Sequence, residues 1–448
     1  MKKFTVKSLG ILFLALTLTV VSCRKDEELF TSKPSELYNA KVANDWFDML
    51  RTLTSKTAGF TPPVASRAFG YAGVALYETV VPGMSRYESL AGQLTQMPAM
   101  TTPEVNKEYN WAIAANYAMG YIARNFYATM PVDQLKAVQD LEEATLTSIA
   151  GTTSQEVIDR SKAWGVFIGQ SVFEWSKTDG GHEGYTKNFP PTYTPPTGSG
   201  KWASTAPAFQ KAMQPFWGSN RTFIPQCALN TQPDAPTPYS ELTNSLFHVA
   251  ALEVFTTVNS ASAEQKIIAK YWSDDPGIGG TPPGHSISIA TQVLRTENWN
   301  LAKAAETYAK IGIAVSDGFV SCWKCKYEHN YLRPITYIRA KFDAAWLSPL
   351  ATPPFPEYTS GHSVQTSAIA KVLSELFGYN YTFFDNTHEK RTDIDGRPRQ
   401  YKSFNDMAAE AAISRLYGGI HYREAIEKGV GQGLKVGEEV VKLKFKKQ

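Results

Sequence analysis

Residues 353–362 read PPFPEYTSGH, and apolar residues then recur at helical spacing from Ala368 to Leu376. Ser360 and Gly361 therefore stand at the start of a predicted helix. They place a hydroxyl group and a backbone without a side chain there. The free N–H groups and the positive dipole of a helix N-terminus favour a bound oxo-anion. This stretch thus predicts a helix with an anion-binding site at its start.

Two further motifs supply cations and an imidazole on either side of that stretch. Lys326 lies seven residues before Arg333, and Pro334 follows at once. Residues seven apart lie two turns along one helical face, so we expect Lys326 and Arg333 to reach toward one point. Pro334 is expected to end or kink their helix. Arg415 and His421 form the third motif, and a buried oxo-anion needs permanent cations of this kind around it.

Together the three motifs resemble, in order and spacing, those of the superfamily that joins vanadium-dependent haloperoxidases with type 2 phosphatidic-acid phosphatases and bacterial acid phosphatases. Trp323, three residues before Lys326, and the extended middle motif are more similar to the haloperoxidase version. The resemblance implies that vanadate, or phosphate in the same site, is held by Lys326, Arg333, Ser360, Gly361, Arg415 and His421. It also implies that His421 is the metal ligand, that His362 works as acid and base, and that Lys326 polarises bound oxygen.

Two positions depart from the pattern of that superfamily. Thr359 stands where the family usually has Pro, a change that Thr can tolerate as an alternative helix cap. Ala425 stands four residues after His421, where the phosphatase pattern has an Asp that would orient the imidazole and fix its tautomer. We expect Glu424, Glu427 or a backbone carbonyl to take that role.

Three further side chains are expected to line the pocket: Trp323, Phe355 and Asp275. In similar haloperoxidases an acidic residue from a comparable segment pairs with the second arginine, which makes Asp275 a candidate partner of Arg415. Phe355 lies five residues before Ser360, where similar haloperoxidases carry either Phe or His. Phe at this position resembles the chloride-oxidising type.

The motifs leave two reactions open, because an imidazole nitrogen can bind vanadium and can equally attack phosphorus. A vanadate-dependent haloperoxidase would use hydrogen peroxide to oxidise bromide or iodide, with chloride as a further candidate, to hypohalous acid. An acid phosphatase would form a phosphohistidine on His421, and His362 would protonate the leaving alcohol. A third interpretation is a non-catalytic surface lipoprotein that binds an anion or a glycan. The length of the chain, Trp323 and the stretch 353–362 favour the haloperoxidase.

The N-terminus predicts export. Lysines 2, 3 and 7 precede an apolar run from Leu9 to Val21, which is too short to span a bilayer and indicates a cleaved signal peptide over residues 1–22. The end of the run resembles a bacterial lipoprotein lipobox, with Cys23 acylated and a tether over 23–35. The charged residues 24–28 resemble the surface-export tag of Bacteroidetes lipoproteins. We therefore expect a membrane-tethered lipoprotein on the periplasmic or cell-surface side of an outer membrane.

Composition excludes few other classes of protein. The chain has 448 residues, 43% hydrophobic and 19% charged, enough to bury a large core in one or two domains. Its net charge is only +3. Since no basic stripe is interleaved with aromatic residues, the sequence gives no case for nucleic acid as a partner.

Helical spacing of apolar residues dominates the chain and is interrupted by one long loop. Residues 180–238 are rich in Pro, Gly, Ser and Thr, a density of breakers that forbids a long helix. We therefore predict an all-α protein of two packed helical bundles with a long Pro/Gly-rich connecting loop. The first region spans 36–238 and includes that loop, and the second spans 239–448 and carries the site. Three glycines four residues apart predict close helix packing in the second region: Gly429, Gly433 and Gly437.

Overall fold

The computed structural model describes residues 32–274, 277 and 279–447. The predicted signal peptide and Cys23 lie outside the described residues, and so does Asp275. The lipid tether therefore stays a prediction. In the part of the chain that is described, every helix is too short or too polar to cross a bilayer.

The first part of the chain is helical, as predicted. Its helices are α1 (Lys41–Lys56), α2 (Pro62–Val80), α3 (Trp111–Phe126), α4 (Val132–Ala150) and α5 (Gln155–Ser176). Helix α3 begins where the Asn110 side chain accepts hydrogen bonds from the backbone N–H groups of Ala112 and Ile113. Such a cap satisfies donors that have no partner within the helix.

The second part contains the helices that surround the site. They are α7 (Leu246–Asn259), α8 (Ala263–Tyr271), α9 (Thr281–Thr296), α10 (Leu301–His329), α11 (Pro334–Lys341), α12 (Gly361–Phe377), α13 (Phe404–Tyr417) and α14 (Arg423–Val441). In the described ranges, strands are limited to one antiparallel pair, β1 (Phe383–Asp385) and β2 (Arg399–Tyr401). The all-α prediction is confirmed.

The loop over residues 180–238 has only short helical segments, as its breakers predict. They are Gly184–Thr186, Trp217–Ser219 and α6 (Cys227–Asn230). The loop wraps helix α10, because the Asp317 carboxylate accepts the backbone N–H groups of Phe223 and Ile224 at 2.7 and 2.9 Å. It also reaches the site, where the Met213 carbonyl accepts the Trp323 indole N–H at 3.3 Å.

Helices α2 and α10 cross at the centre of one large apolar core, which contains side chains from both parts of the chain. Gly73 and Gly312 allow this crossing. A Cβ on Gly73 would lie 2.4 Å from the Tyr308 carbonyl oxygen, and a Cβ on Gly312 would lie 2.6 Å from that of Phe69. A second, smaller core lies among helices α7, α11 and α13. The backbones of α2 and α10 thus approach closely enough to fix the helix that carries Lys326.

Lys326 and Arg333 do not share a helix, so that part of the sequence prediction is wrong. Helix α10 ends at His329, because Asn330 adopts a left-handed conformation with φ 50°. Arg333 caps the next helix, α11, and Pro334 is its first residue. Proline suits this position since its missing N–H would have no partner there. The two cations are brought together by the turn between the helices.

The predicted packing of the three glycines is confirmed, since they face helix α12 along α14. A Cβ on Gly433 would lie 2.1 Å from the Val364 carbonyl oxygen, and one on Gly437 would lie 2.7 Å from that of Ala368. At Gly429 the nearest backbone atom would be the Ser360 carbonyl oxygen, 3.0 Å away. This contact sets the start of α12, and hence Ser360, against the helix that follows His421.

We predict that Gly433→Ala lowers the free energy of unfolding by about 1–3 kcal/mol, because the added methyl group must push α12 away from α14. Gly431→Ala is the matched control on the same helix. Gly431 is exposed and a Cβ there meets nothing within 4 Å. This variant should gain about 0.5–1 kcal/mol from helix propensity. Urea denaturation of both variants measures the difference, and equal stabilities would contradict the packing argument.

Candidate active site

A cavity of about 80 Å³ lies at the start of helix α12. Six of the residues that line it are apolar: Pro62, Pro282, Phe319, Leu350, Pro353 and Phe355. Four predicted site residues also line it: Gly361, His362, Arg415 and His421. Trp323 also lines the cavity. Lys326, Arg333 and Ser360 do not line the cavity. Arg333 reaches its edge, because Arg333 Nη1 lies 3.2 Å from Nε2 of the lining residue His421.

The His421 imidazole lies between an acid and a cation. Its Nδ1 is 2.7 Å from Glu357 Oε1, and its Nε2 is 3.2 Å from Arg333 Nη1. A guanidinium group only donates hydrogen bonds, so Nε2 must accept and the proton of the neutral ring must be on Nδ1. Burial holds the pKa of His421 well below its usual range, and Arg333, Lys326 and Arg415 lower it further. His421 is therefore a neutral imidazole whose Nε2 carries a lone pair.

Glu357 is the functional residue that the sequence analysis missed. Its Oε1 accepts from His421 Nδ1 and also from the Tyr422 backbone N–H, at 3.0 Å. Burial raises the pKa of Glu357 to about 8, and Arg333 and Lys326 oppose that rise. The only signal in the sequence was an acid within the otherwise uncharged stretch from Pro353 to Gly361.

The expectation that Glu424 or Glu427 orients His421 is wrong. Both carboxylate oxygens of Glu424 accept from the Thr237 backbone N–H, at 3.2 and 3.0 Å. Glu427 is exposed. The Ala425 carbonyl accepts from the Ser360 backbone N–H at 3.0 Å. Helix α14 turns these positions away from the imidazole, and Glu357 reaches it from the preceding loop.

Lys326 is completely buried behind the loop that carries Glu357. Its ammonium group donates to three backbone carbonyls, those of Pro356 at 3.0 Å, Glu357 at 2.9 Å and Thr359. Burial lowers its pKa to about 8. Because these carbonyls use all three of its donors, Lys326 fixes the loop and adds positive charge beneath the cavity.

Arg333 lies beside this loop and retains one unsatisfied donor. Its Nε donates to the Phe355 carbonyl at 3.0 Å, and its Nη1 to the Ile420 carbonyl at 2.8 Å. Its Nη2 is buried and has no hydrogen-bond partner among the described residues. Burial lowers the pKa of Arg333 to about 10, which still leaves it charged near neutral pH. A bound anion would supply the acceptor that this nitrogen lacks.

Arg415 and His362 meet on the other side of the cavity. Arg415 Nη1 donates to the Trp272 carbonyl at 2.7 Å and lies 2.8 Å from His362 Nε2. By the same donor argument, His362 Nε2 accepts. Burial and the nearby Arg415 charge hold the pKa of His362 well below its usual range. His362 is therefore neutral and able to take up a proton.

Ser360, and not Thr359, caps helix α12. The Ser360 hydroxyl accepts from the Ser363 backbone N–H at 3.4 Å. The Thr359 hydroxyl instead donates to Gln432 Oε1 on helix α14. Thr359 therefore tolerates its position by bonding across the helix pair, which corrects the expectation that it serves as a cap. Gly361 follows as the first residue of the helix.

This set of donors fits a tetrahedral oxo-anion. Two guanidinium groups and a helix N-terminus offer positive charge and N–H donors, and the Lys326 ammonium adds its charge without a remaining donor. His421 Nε2 offers one lone pair to a central atom. A separate group of ligand-type side chains, Asp274, His285 and His388, is also buried. Its carboxylate suits a cation and would repel an oxo-anion, so the cavity is the place for the anion.

The comparisons with known proteins agree with this site. The family described as the second helical-bundle domain of VCPO matches residues 306–447. The vanadium chloroperoxidase of Curvularia inaequalis is 24% identical over 212 residues, covering 34% of this chain and 35% of that protein. The chain thus spans about a third of the length of the curated relative that it matches.

Solved structures cover nearly the whole chain. The crystal structure of the first bacterial vanadium-dependent iodoperoxidase is 35% identical, covers 92% of this chain and 98% of its own, and superimposes with a TM-score of 0.81. The holo-type bacterial vanadium-dependent chloroperoxidase is 17% identical, covers 86% of this chain and 92% of its own, and has a TM-score of 0.65, which shows the fold alone.

This chain belongs to the vanadium haloperoxidase family. The extent and identity of the iodoperoxidase match establish that membership, and the helical-bundle match over residues 306–447 contains the described motif residues. The chain is therefore an enzyme of that class, and the non-catalytic lipoprotein interpretation is set aside.

We predict that Glu357→Gln weakens oxo-anion binding about 10- to 100-fold above the pKa of Glu357, about 8, because a neutral amide then replaces a carboxylate and holds the proton on His421 Nδ1 less firmly. Orthovanadate serves as the probe, with bound vanadium measured by elemental analysis after equilibrium dialysis. Glu424→Gln is the matched control and should bind as the wild type does. Equal losses in the two variants would remove Glu357 from its assigned role.

Proposed function

We propose that this enzyme oxidises halide with hydrogen peroxide, using vanadate bound in the cavity at the start of helix α12. Iodide and bromide are its readiest substrates in this proposal. The observation that carries it is the neutral His421 imidazole, whose Nε2 lone pair lies among the buried charges of Lys326, Arg333 and Arg415. The similarity to a bacterial iodoperoxidase supports the same conclusion.

The residues of the site would have different roles in binding vanadate. Vanadate, when bound, supplies a Lewis-acidic centre that activates hydrogen peroxide toward halide. His421 Nε2 would be its protein ligand, and Glu357 keeps the ring proton on the opposite nitrogen. Arg333 and Arg415 offset the negative charge of the anion. Lys326 holds the loop and contributes its charge from behind it.

His362 is placed to move protons. The overall reaction consumes one hydrogen peroxide, one halide and one proton, and yields hypohalous acid and water. Burial and Arg415 hold the pKa of His362 low, which keeps the ring neutral. The negative charge of a bound anion beside the ring would raise this pKa, so that His362 could accept a proton from hydrogen peroxide. Because burial and Arg415 disfavour the imidazolium, the ring could then return the proton as oxygen is transferred.

The alternative function is an acid phosphatase, and the same His421 Nε2 carries it. A neutral imidazole can attack phosphorus through this nitrogen as well as bind vanadium. The cavity wall favours the peroxidase. Its apolar residues suit a small halide and offer few groups that could bind a phosphate ester. These apolar residues are Pro62, Pro282, Phe319, Leu350 and Phe355.

We predict that the vanadate-loaded wild type oxidises iodide and bromide with hydrogen peroxide, and that His421→Ala abolishes this turnover. The variant loses the bond to the central atom, while the cations can still hold the anion loosely. Halide oxidation is followed by halogenation of a dye, and thermal melting verifies that the variant folds. Hydrolysis of p-nitrophenyl phosphate without halide oxidation would favour the phosphatase. Unchanged turnover in His421→Ala would refute the ligand assignment.

Phe355 is the side chain of the apolar wall that contacts the cations most directly. Its ring centroid lies 5.1 Å from Lys326 Nζ and 5.0 Å from Arg333 Cζ, and 4.9 Å from the Trp323 ring. An apolar ring at this place excludes water and so strengthens the hold of the cations on an anion. Chloride is harder to oxidise than bromide or iodide and therefore gains most from this environment.

We predict that Phe355→His lowers the rate of chloride oxidation relative to bromide, because an imidazole admits water beside the cations. Phe355→Leu is the control, since it keeps the wall apolar and should keep the ranking of halides. Steady-state rates with each halide at fixed peroxide measure the effect. An identical ranking in all three proteins would show that Phe355 does not determine halide choice.

A further inference from the structure

Four ionisable side chains form a buried cluster outside the cavity: Asp274, His285, Asp385 and His388. Each is no more than 2% exposed. His285 Nδ1 lies 3.0 Å from both carboxylate oxygens of Asp274, and His285 Nε2 lies 2.7 Å from Asp385 Oδ2. His388 Nε2 lies 3.1 Å from Asp274 Oδ1. His285 is thus held between two carboxylates.

The geometry makes His285 a cation. Carboxylates accept hydrogen bonds, so each ring nitrogen of His285 must donate and both must carry a proton. Burial alone would lower the pKa of His285, but Asp274 and Asp385 outweigh burial and raise it to about 10. A divalent cation bound by Asp274, His285 and His388 would have to displace these protons.

The cluster connects to the catalytic cavity through Trp272. The Trp272 ring stacks on the His285 ring, with centroids 4.5 Å apart and planes within 15°. Two residues later, Asp274 adopts a left-handed backbone with φ 47°, a strained conformation that its contacts with His285 and His388 stabilise. Both contacts hold the short segment from Trp272 to Asp274 in place.

The same segment contacts Arg415. The Trp272 carbonyl accepts from Arg415 Nη1, and that nitrogen also lies against His362 Nε2. Displacing this carbonyl would turn the guanidinium group away from His362 and from the cavity. The Trp272 carbonyl is thus one of the groups that orient Arg415.

We propose that His285 is a positioning residue, whose charged ring between Asp274 and Asp385 fixes the Trp272 carbonyl and thereby aims Arg415 at the bound anion and at His362. This role rests on the proposed function, since it assigns the cavity to an oxo-anion. Removing the charge leaves a buried carboxylate without its donor, and the segment from Trp272 to Asp274 must then move.

The test is a double-mutant cycle on orthovanadate affinity, measured by equilibrium dialysis. His285→Gln should weaken binding about 10- to 100-fold, the range typical of groups that orient a ligand residue. Arg415→Lys should also weaken binding. If His285 acts through Arg415, the double variant loses less than the product of the two single losses. The proposal would be overturned if the affinity loss of the double variant equalled the product of the two single losses. It would also be overturned if His285→Gln bound orthovanadate as tightly as the wild type.

Two controls separate positioning from a loss of stability. Glu78→Gln alters another buried acid, which accepts from the Ser89 hydroxyl and the Leu90 N–H, both at 2.7 Å. It should lower the melting temperature and leave orthovanadate affinity unchanged. Elemental analysis of purified wild type should find no stoichiometric divalent metal that is lost in His285→Gln. Finding such a metal would overturn the assignment of His285 as a protonated ring between two carboxylates. A wild type that binds no orthovanadate would refute the proposed function as well.

Discussion

The site depends on three buried cations. Lys326, Arg333 and Arg415 are at most 1% exposed, and taking such charges out of water costs several kcal/mol each. Each of them donates to a backbone carbonyl, which satisfies an N–H donor and adds no opposite charge. The loop before α12 supplies the Glu357 carbonyl to Lys326, and the turn before α14 supplies the Ile420 carbonyl to Arg333.

Close helix packing gives those loops fixed ends. Gly433 lets α14 lie against the backbone of α12, and Gly312 lets α10 lie against that of α2. Three of these helices each hold one motif in place. Helix α10 carries Lys326, α12 begins directly after its cap Ser360, and α14 begins shortly after His421. Three segments distant in sequence can hold their side chains in one geometry only because the helices carrying them cannot slide.

Two buried histidines show how surroundings decide protonation. His421 contacts one carboxylate and one guanidinium, so one nitrogen donates, the other accepts, and the ring is neutral. His285 contacts two carboxylates, so both nitrogens donate and the ring is charged. The neutral state lets His421 bind a central atom, and the charged state lets His285 donate to both carboxylates that hold it. Burial alone would make both rings neutral.

The sequence by itself determined the all-α fold, the positions of most helices and the chemical types in the cavity, because helical periodicity and the motif residues are local properties. It failed at two points. Asn330, a local helix-ending residue that the sequence prediction overlooked, ended α10 before Arg333. Glu357 reached His421 across 64 residues. The residues next to a histidine in the sequence determine neither the hydrogen-bond partner of its imidazole nor the charge of the ring. Both depend on which carboxylates and cations the packed helices bury beside it, and that is settled only in the tertiary structure.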